Sequence, residues 1–215
     1  MNAGKSFLTR QIVLNLHSIC FSKSVFKTFQ IIFISKSEES KDELEKICLL
    51  KKYHFTWWKI IHSLEKLLNQ SNTNKQTIVI FEDMTPFINS ADNKSNSDMI
   101  DFLYRSRHSN ISILIIMHGI RHSLSKRTSF ERIFLDNCSG LFIFKPISNK
   151  RVIYSYLKNI LDKNTCDKLD QLFEFVSKLT NYPYLLIQAN KSVEDDISKI
   201  RSDIFGKNLF FQSGI

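Results

Sequence analysis

Two short stretches of this chain carry residue types that could bind and cleave a phosphoanhydride. The first is Gly4-Lys5-Ser6, at the start of the sequence "MNAGKSFLTRQI". It matches the last third of the phosphate-cradling pattern G-x-x-x-x-G-K-[ST], whose first glycine would stand five residues before Gly4. In a complete loop of this kind the backbone N–H groups of Asn2, Ala3, Gly4, Lys5 and Ser6 would wrap the phosphates. The Lys5 ammonium would reach the β- and γ-phosphates, and the Ser6 hydroxyl would sit on Mg²⁺. Taken alone the tripeptide also reads as an ordinary helix cap beside a surface lysine. The second stretch is "IVIFED" (78–83), four apolar residues closing in Glu82 and Asp83. A buried strand that ends in two carboxylates can aim one at a metal ion and the other at an attacking water. The metal position falls to Glu82 and the water-orienting position to Asp83. On its own this stretch also reads as an apolar strand ending in an acidic turn.

Such residues need elements to position them. Leu8, Ile12 and Leu16 recur at helical spacing, with Val13 beside them, so the spacing predicts a helix over 6–18 that opens at Gly4-Lys5-Ser6. "FQIIFIS" (29–35) is a β-branched and aromatic run and predicts a strand. "SEESKDELEKICLLKK" predicts a helix capped by Ser37, with acids early and lysines late as the helix dipole favours. "WWKIIHSLEKLLNQ" (57–70) reads as a second helix with Ile61, Leu64 and Leu68 on one face. "QTIVIFED" (76–83), "ISILIIM" (111–117), "SGLFIFKP" (139–146) and "YPYLLIQ" (182–188) read as further strands. "NSADNKSNSD" (89–98) lacks periodicity and reads as an exposed loop leading into a helix "SDMIDFLYRSRH". Two helices are expected at about 149–161 and 164–179, and a last one over 192–205. Strands so continuously apolar are covered on both faces. Alternating with helices, they predict an α/β fold with a mostly parallel central sheet between helical layers. In such sheets ligands bind beyond the carboxyl ends of the strands, where Glu82 and Asp83 stand.

Bulk properties narrow the partners. The chain has 215 residues, 43% of them apolar, enough for one domain over 1–205 followed by a tail, 206–215. Thirty Lys and Arg against 21 Asp and Glu give a formal charge of +9, which favours nucleic acid or another acidic partner. Arg105, Arg107, Arg121, Lys126, Arg127 and Arg132 gather between Tyr104 and Arg132, with His108, His118 and His122 among them and Glu131 as the lone acid. This segment reads as a solvated basic face, as phosphate contacts to DNA, or as arginines offered to a neighbouring subunit's γ-phosphate. Cys20, Cys48, Cys138 and Cys166 lie far apart with no C-x-x-C pair, as expected of reduced thiols in an intracellular protein. No apolar run is long enough to span a bilayer and no signal peptide is visible, so a membrane or secreted location is not expected.

In order and spacing these residues resemble the viral genome-packaging ATPases of the FtsK–HerA superfamily, above all those of Maverick/Polinton elements and adintovirus-like viruses, relatives of the poxvirus enzyme. The likeness runs from "NAGKSFLTRQI" to "RSDIF". It includes "VIFEDM", "RSRHSNISILII", "KRTSFERIFLDNCSGLFIFKPISNKRVI" and "YPYLLIQ". The resemblance implies a three-layer P-loop NTPase fold of the RecA/ASCE kind, here without the first strand and the start of its loop. It also implies ATP and Mg²⁺ as cofactors, and a homo-oligomeric ring that drives double-stranded DNA into capsids built by partner capsid proteins. Arg105, Arg107 and Arg127 become candidates to complete a neighbour's site in trans. Three departures stand out. The strand that should precede the loop, central in the family's sheet, is absent, which would leave two strands each lacking one neighbour. A family glutamine that senses the γ-phosphate is replaced by His118, followed by Gly119. The acid pair runs Glu-Asp, the inverse of the common order. These departures leave room for a degenerate or domesticated relative that binds nucleotide, DNA or a partner without efficient hydrolysis. A small-molecule kinase or a purely structural basic module explains fewer of the features.

Overall fold

The computed structural model describes residues 4–19, 28–59, 63–69, 75–83, 93–106, 108–116, 138, 140–144, 157, 163–179, 184–188 and 200–201. The chain divides into two compact units. One comprises Thr9–His118 and Thr128–Phe134, and the other Met1–Leu8, Gly119–Arg127 and Leu135–Ile215.

The Thr9–His118 unit is built on a four-stranded sheet, β1 (Phe29–Ile34), β2 (His54–Trp58), β3 (Gln76–Phe81) and β4 (Ile111–Ile115), in the order β2-β1-β3-β4. Every pairing is parallel: Ile34 aligns with Trp58 and with Phe81, and Phe81 with Ile115. The apolar runs explain why. On β1, Phe29, Ile31 and Phe33 face one layer, while Ile32 and Ile34 face the other. On β3, Ile78 and Ile80 divide from Val79 and Phe81 in the same way. A strand apolar on both faces is stable only between two covering layers, and helices supply them. Val13 of α1 (Lys5–Leu14), Leu16 of α2 (Leu16–Ile19), and Leu44 and Cys48 of α3 (Glu38–Lys51) cover the first face. Leu67 and Leu68 of α4 (Leu64–Asn69), with Met99 and Phe102 of α5 (Asn93–Ser106), cover the second. The α/β class and the parallel sheet expected from the sequence are therefore present. Among the described residues β4 pairs only with β3 and β2 only with β1, and both edge strands keep most of their side chains partly exposed.

Three local expectations are corrected. Of the helix read over 57–70, Trp57 and Trp58 instead close strand β2, and Leu64–Asn69 form α4. Phe55, Thr56, Trp57 and Trp58 are strand-favouring residues, and pairing with β1 overrides the helical spacing read from Trp57 onward. The loop read over 89–98 gives way to α5 at Asn93, because helical pairing extends upstream of its apolar face. Ile200 and Arg201, read as helical, form β7.

In the second unit, β5 (Gly140–Phe144), β6 (Tyr184–Gln188) and β7 (Ile200–Arg201) form a three-stranded sheet. Both pairings are antiparallel. An apolar run shows that a strand is covered and carries no record of its direction, so this arrangement was not legible. Helix α6 (Lys163–Leu179) turns Leu169, Leu172, Phe173 and Val176 toward Ile143, Leu185 and Ile187, at the spacing of one helical stripe. Of the helix read at 149–161 only Leu157 is described; it is helical and buried. The 206–215 tail lies outside the described residues.

Two buried polar groups make testable statements. Thr77, at the start of β3, is fully buried, and its Oγ1 has no hydrogen-bond partner among the described residues. Thr77→Val should raise the unfolding free energy by on the order of 1 kcal/mol, read as a higher urea midpoint at constant slope. Cys48 is also fully buried, and burial first, then the charge of Glu45, pushes its thiol up to about 12. The unfolded chain releases that proton at lower pH than the folded one. Cys48 should therefore contribute stability below about pH 9 that is lost as pH rises toward 12. Alkylation of Cys48 at pH 8, followed by mass spectrometry, should be slow in the native protein and fast in denaturant.

Candidate functional site

The carboxyl ends of the two inner strands, β1 and β3, gather the chemistry. Strand β3 delivers Glu82 one residue beyond Phe81, and the Glu82 N–H donates to the Ile34 carbonyl at 2.9 Å, prolonging the β1–β3 ladder past the last paired residues. Ser35 follows Ile34 and so lies across from Glu82. Its hydroxyl donates to Glu82 Oε2 at 2.5 Å, a charge-assisted bond of the short kind. The second oxygen, Oε1, accepts the Ser40 hydroxyl at 3.1 Å. Ser40 stands in the first turn of α3, and its N–H donates to the Ser37 hydroxyl at 3.1 Å, so Ser37 is the N-cap as the sequence suggested. The Ser37 N–H donates to Ser35 Oγ at 2.9 Å. Serines 35, 37 and 40 and the Glu82 carboxylate thus form one connected network across the corner between β1 and α3.

Ser35 itself is held from several sides. Only 4% exposed, it donates its N–H to the Trp58 carbonyl at 3.1 Å, and its carbonyl accepts the Trp57 indole N–H at 2.9 Å. Lys41 lies over the Trp57 ring, 5.7 Å from its centre. Hydrogen bonds to Glu45 first and to Asp42 second hold the Lys41 ammonium well above the usual lysine range. The next residue after Glu82 changes direction. Asp83 has φ 52°, the left-handed region, which Asp tolerates better than most residues. The chain therefore leaves the strand line at once, and the two acids are not aimed as a continued strand would aim them.

Of the other residues singled out in the sequence, Gly4 stands directly before α1 with φ 80°, a conformation that costs glycine little and other residues more. The Leu8 N–H donates to the Gly4 carbonyl at 2.8 Å, the first turn of the helix. Lys5 and Ser6 therefore occupy the first helical positions, where backbone N–H groups lack intrahelical acceptors. This arrangement suits the close of a phosphate loop. Gly4, Lys5 and Ser6 belong to one compact unit, and Glu82 and Asp83 to the other. Arg105, in the last turn of α5, is more than half exposed and pairs with Asp101 at 3.3 Å. Asn2, Ala3, Arg107, His118 and Arg127 lie outside the described residues.

The donor set fits a hard cation held through few protein groups. A carboxylate accepts about four hydrogen bonds, and the two serines use one on each Glu82 oxygen. Magnesium bound with nucleotide needs only one or two protein oxygens beside phosphates and water. Among the described residues no three His, Cys, Asp or Glu side chains cluster as a metal-binding group. Sequence reasoning missed Ser35 and Ser40 as partners of Glu82. The only available signal was their place at and just after a strand end, and the parallel register that sets Ser35 against Glu82 is not written in either segment.

No family model matches the chain, and no curated protein matches it. Among the described residues no helix is long and apolar enough to cross a membrane.

The Ser37 cap gives a direct test. Ser37→Ala should destabilise the protein by about 1 kcal/mol in chemical denaturation, and Ser37→Asp should restore most of that loss.

Proposed function

We infer that the chain is an ATP-driven translocase of double-stranded DNA, of the packaging-ATPase kind within the FtsK–HerA superfamily. One observation carries this reading. A central parallel strand, buried on both faces, delivers two adjacent carboxylates, Glu82 and Asp83, to the carboxyl edge of its sheet. That edge is where open α/β sheets bind ligands. The left-handed Gly4 ahead of Lys5 and Ser6 supports the reading independently. So does the edge of β4, which has no strand partner among the described residues, since a further parallel strand leading into the phosphate loop would need such an edge.

In this mechanism the backbone N–H groups around Gly4 and the α1 N-terminus cradle the phosphates. Lys5 neutralises charge building on the β- and γ-phosphates. Glu82 would be the carboxylate and Ser6 the hydroxyl to hold Mg²⁺, which would supply positive charge to the phosphate oxygens. Asp83 orients the attacking water, and His118 takes the place of a γ-phosphate sensor. Arg105, Arg107 and Arg127 are the residues a neighbouring subunit in a homo-oligomeric ring would receive. The surplus positive charge would meet the DNA backbone, and capsid proteins would receive the DNA.

A second reading, a relative that binds nucleotide or DNA without efficient hydrolysis, is favoured by a specific feature. Both Glu82 oxygens already carry serine hydrogen bonds.

ATP turnover by the full-length protein, with and without duplex DNA, separates the two. The translocase should turn over ATP, faster with duplex, and Lys5→Ala and Asp83→Asn should each lower the rate by at least about a hundredfold. Duplex binding should weaken steeply between 50 and 200 mM salt. Nucleotide binding without turnover would favour the second reading. Equal rates for Lys5→Ala and its parent would rule out the site.

A further inference from the structure

We propose that Ser35, assisted by Ser40, is a positioning residue that parks the Glu82 carboxylate against the corner between β1 and α3, so that resting turnover is limited by the release of Glu82 from the two hydroxyls. The proposal rests on the ATPase reading and deepens it.

The asymmetry of the network supports this role. Ser35 cannot follow Glu82. Its N–H is spent on the Trp58 carbonyl, its carbonyl on the Trp57 indole, and its hydroxyl oxygen accepts the Ser37 N–H. It is a buried, fixed donor with one proton left, and that proton goes to Glu82 Oε2 at 2.5 Å. Ser40 is tied to α3 through its N–H and gives its hydroxyl proton to Oε1 at 3.1 Å. The Glu82 backbone, by contrast, is anchored among the described residues through its N–H to the Ile34 carbonyl, and three side-chain torsions separate that backbone from the carboxylate.

A carboxylate drawn to β1 and α3 by both oxygens is drawn away from β4, on the other side of β3. To serve an ion or a water elsewhere it must give up the Ser35 bond, the shorter of the two. A charge-assisted hydrogen bond is worth enough to set a rate by about a factor of ten. The same serines also explain how a site can contain its acid and remain slow until something shifts α3, since Ser40 travels with that helix.

The test compares ATP turnover by the full-length parent, Ser35→Ala and Ser40→Ala, each with and without duplex DNA, with thermal melts of all three. In Ser35→Ala the DNA-free rate should rise about tenfold while the DNA-stimulated rate stays within about twofold of the parent, so the stimulation ratio falls. Ser40→Ala should raise the DNA-free rate by about threefold, as befits its longer bond, and leave the DNA-stimulated rate within about twofold of the parent. General structural damage would lower both rates together and would not produce this split. Should Ser35→Ala fail to fold, Ser40→Ala carries the test alone, because its hydroxyl is removed from a partly exposed helix turn. If the parent shows Lys5-dependent turnover and neither variant raises the DNA-free rate, the parking role is overturned and the ATPase reading stands. If the parent shows no Lys5-dependent turnover, both fall.

Discussion

The structure of the Thr9–His118 unit depends on the parallel pairing of β3 with β1 on one side and β4 on the other. That pairing puts Ile78, Val79, Ile80 and Phe81 out of water on both faces at once. Burial of four such side chains contributes on the order of 6–12 kcal/mol before chain entropy is set against it, so the register of β3 is strongly fixed. A shift of one residue would exchange the faces and would move Glu82 away from Ser35. The position of the acidic pair is therefore a consequence of core packing, and the site inherits its precision from a strand that has no chemistry of its own.

Packing alone does not set the orientation of the acids. Glu82 leaves the strand in register, but the serine network turns its carboxylate toward the β1–α3 corner. Asp83 then breaks the strand line through its left-handed backbone. The corner is itself well braced: the Ser37 cap starts α3, Trp57 and Trp58 of the edge strand hold Ser35, and Lys41 stacks over Trp57. Edge strand β2 thus acts on a carboxylate two strands away, through a serine rather than through any direct contact. The three serines at the corner are small, polar and unremarkable by type, and their value comes from where the sheet and helix bring them.

Some of this was readable beforehand. The strands β1, β3 and β4 were legible because each is an uninterrupted apolar run of the right length, which only two-sided burial can use. Helix α3 and its Ser37 cap were legible because cap, early acids and late lysines are local signals. Strand β2 was not, because "WWKIIHSLEKLL" offers a helical spacing as well as a strand, and only pairing with β1 decided between them. The same holds for Ile200 and Arg201, whose strand character exists only beside Ile187 and Leu186.

What the sequence by itself determined is the kind of chain this is: alternating apolar strands and amphipathic helices, a basic surplus, a Gly-Lys-Ser at a helix start and two acids closing a strand. These follow from residue types and near-neighbour spacing, which act over a few residues. What only the tertiary structure decided is strand direction in the Gly140–Arg201 sheet, the order β2-β1-β3-β4, and the meeting of Ser35 and Ser40 with Glu82. Those partners lie 47 and 42 residues apart along the chain, and no local preference reaches that far. Only the burial of β1 beside β3 brings them within a hydrogen bond of one another.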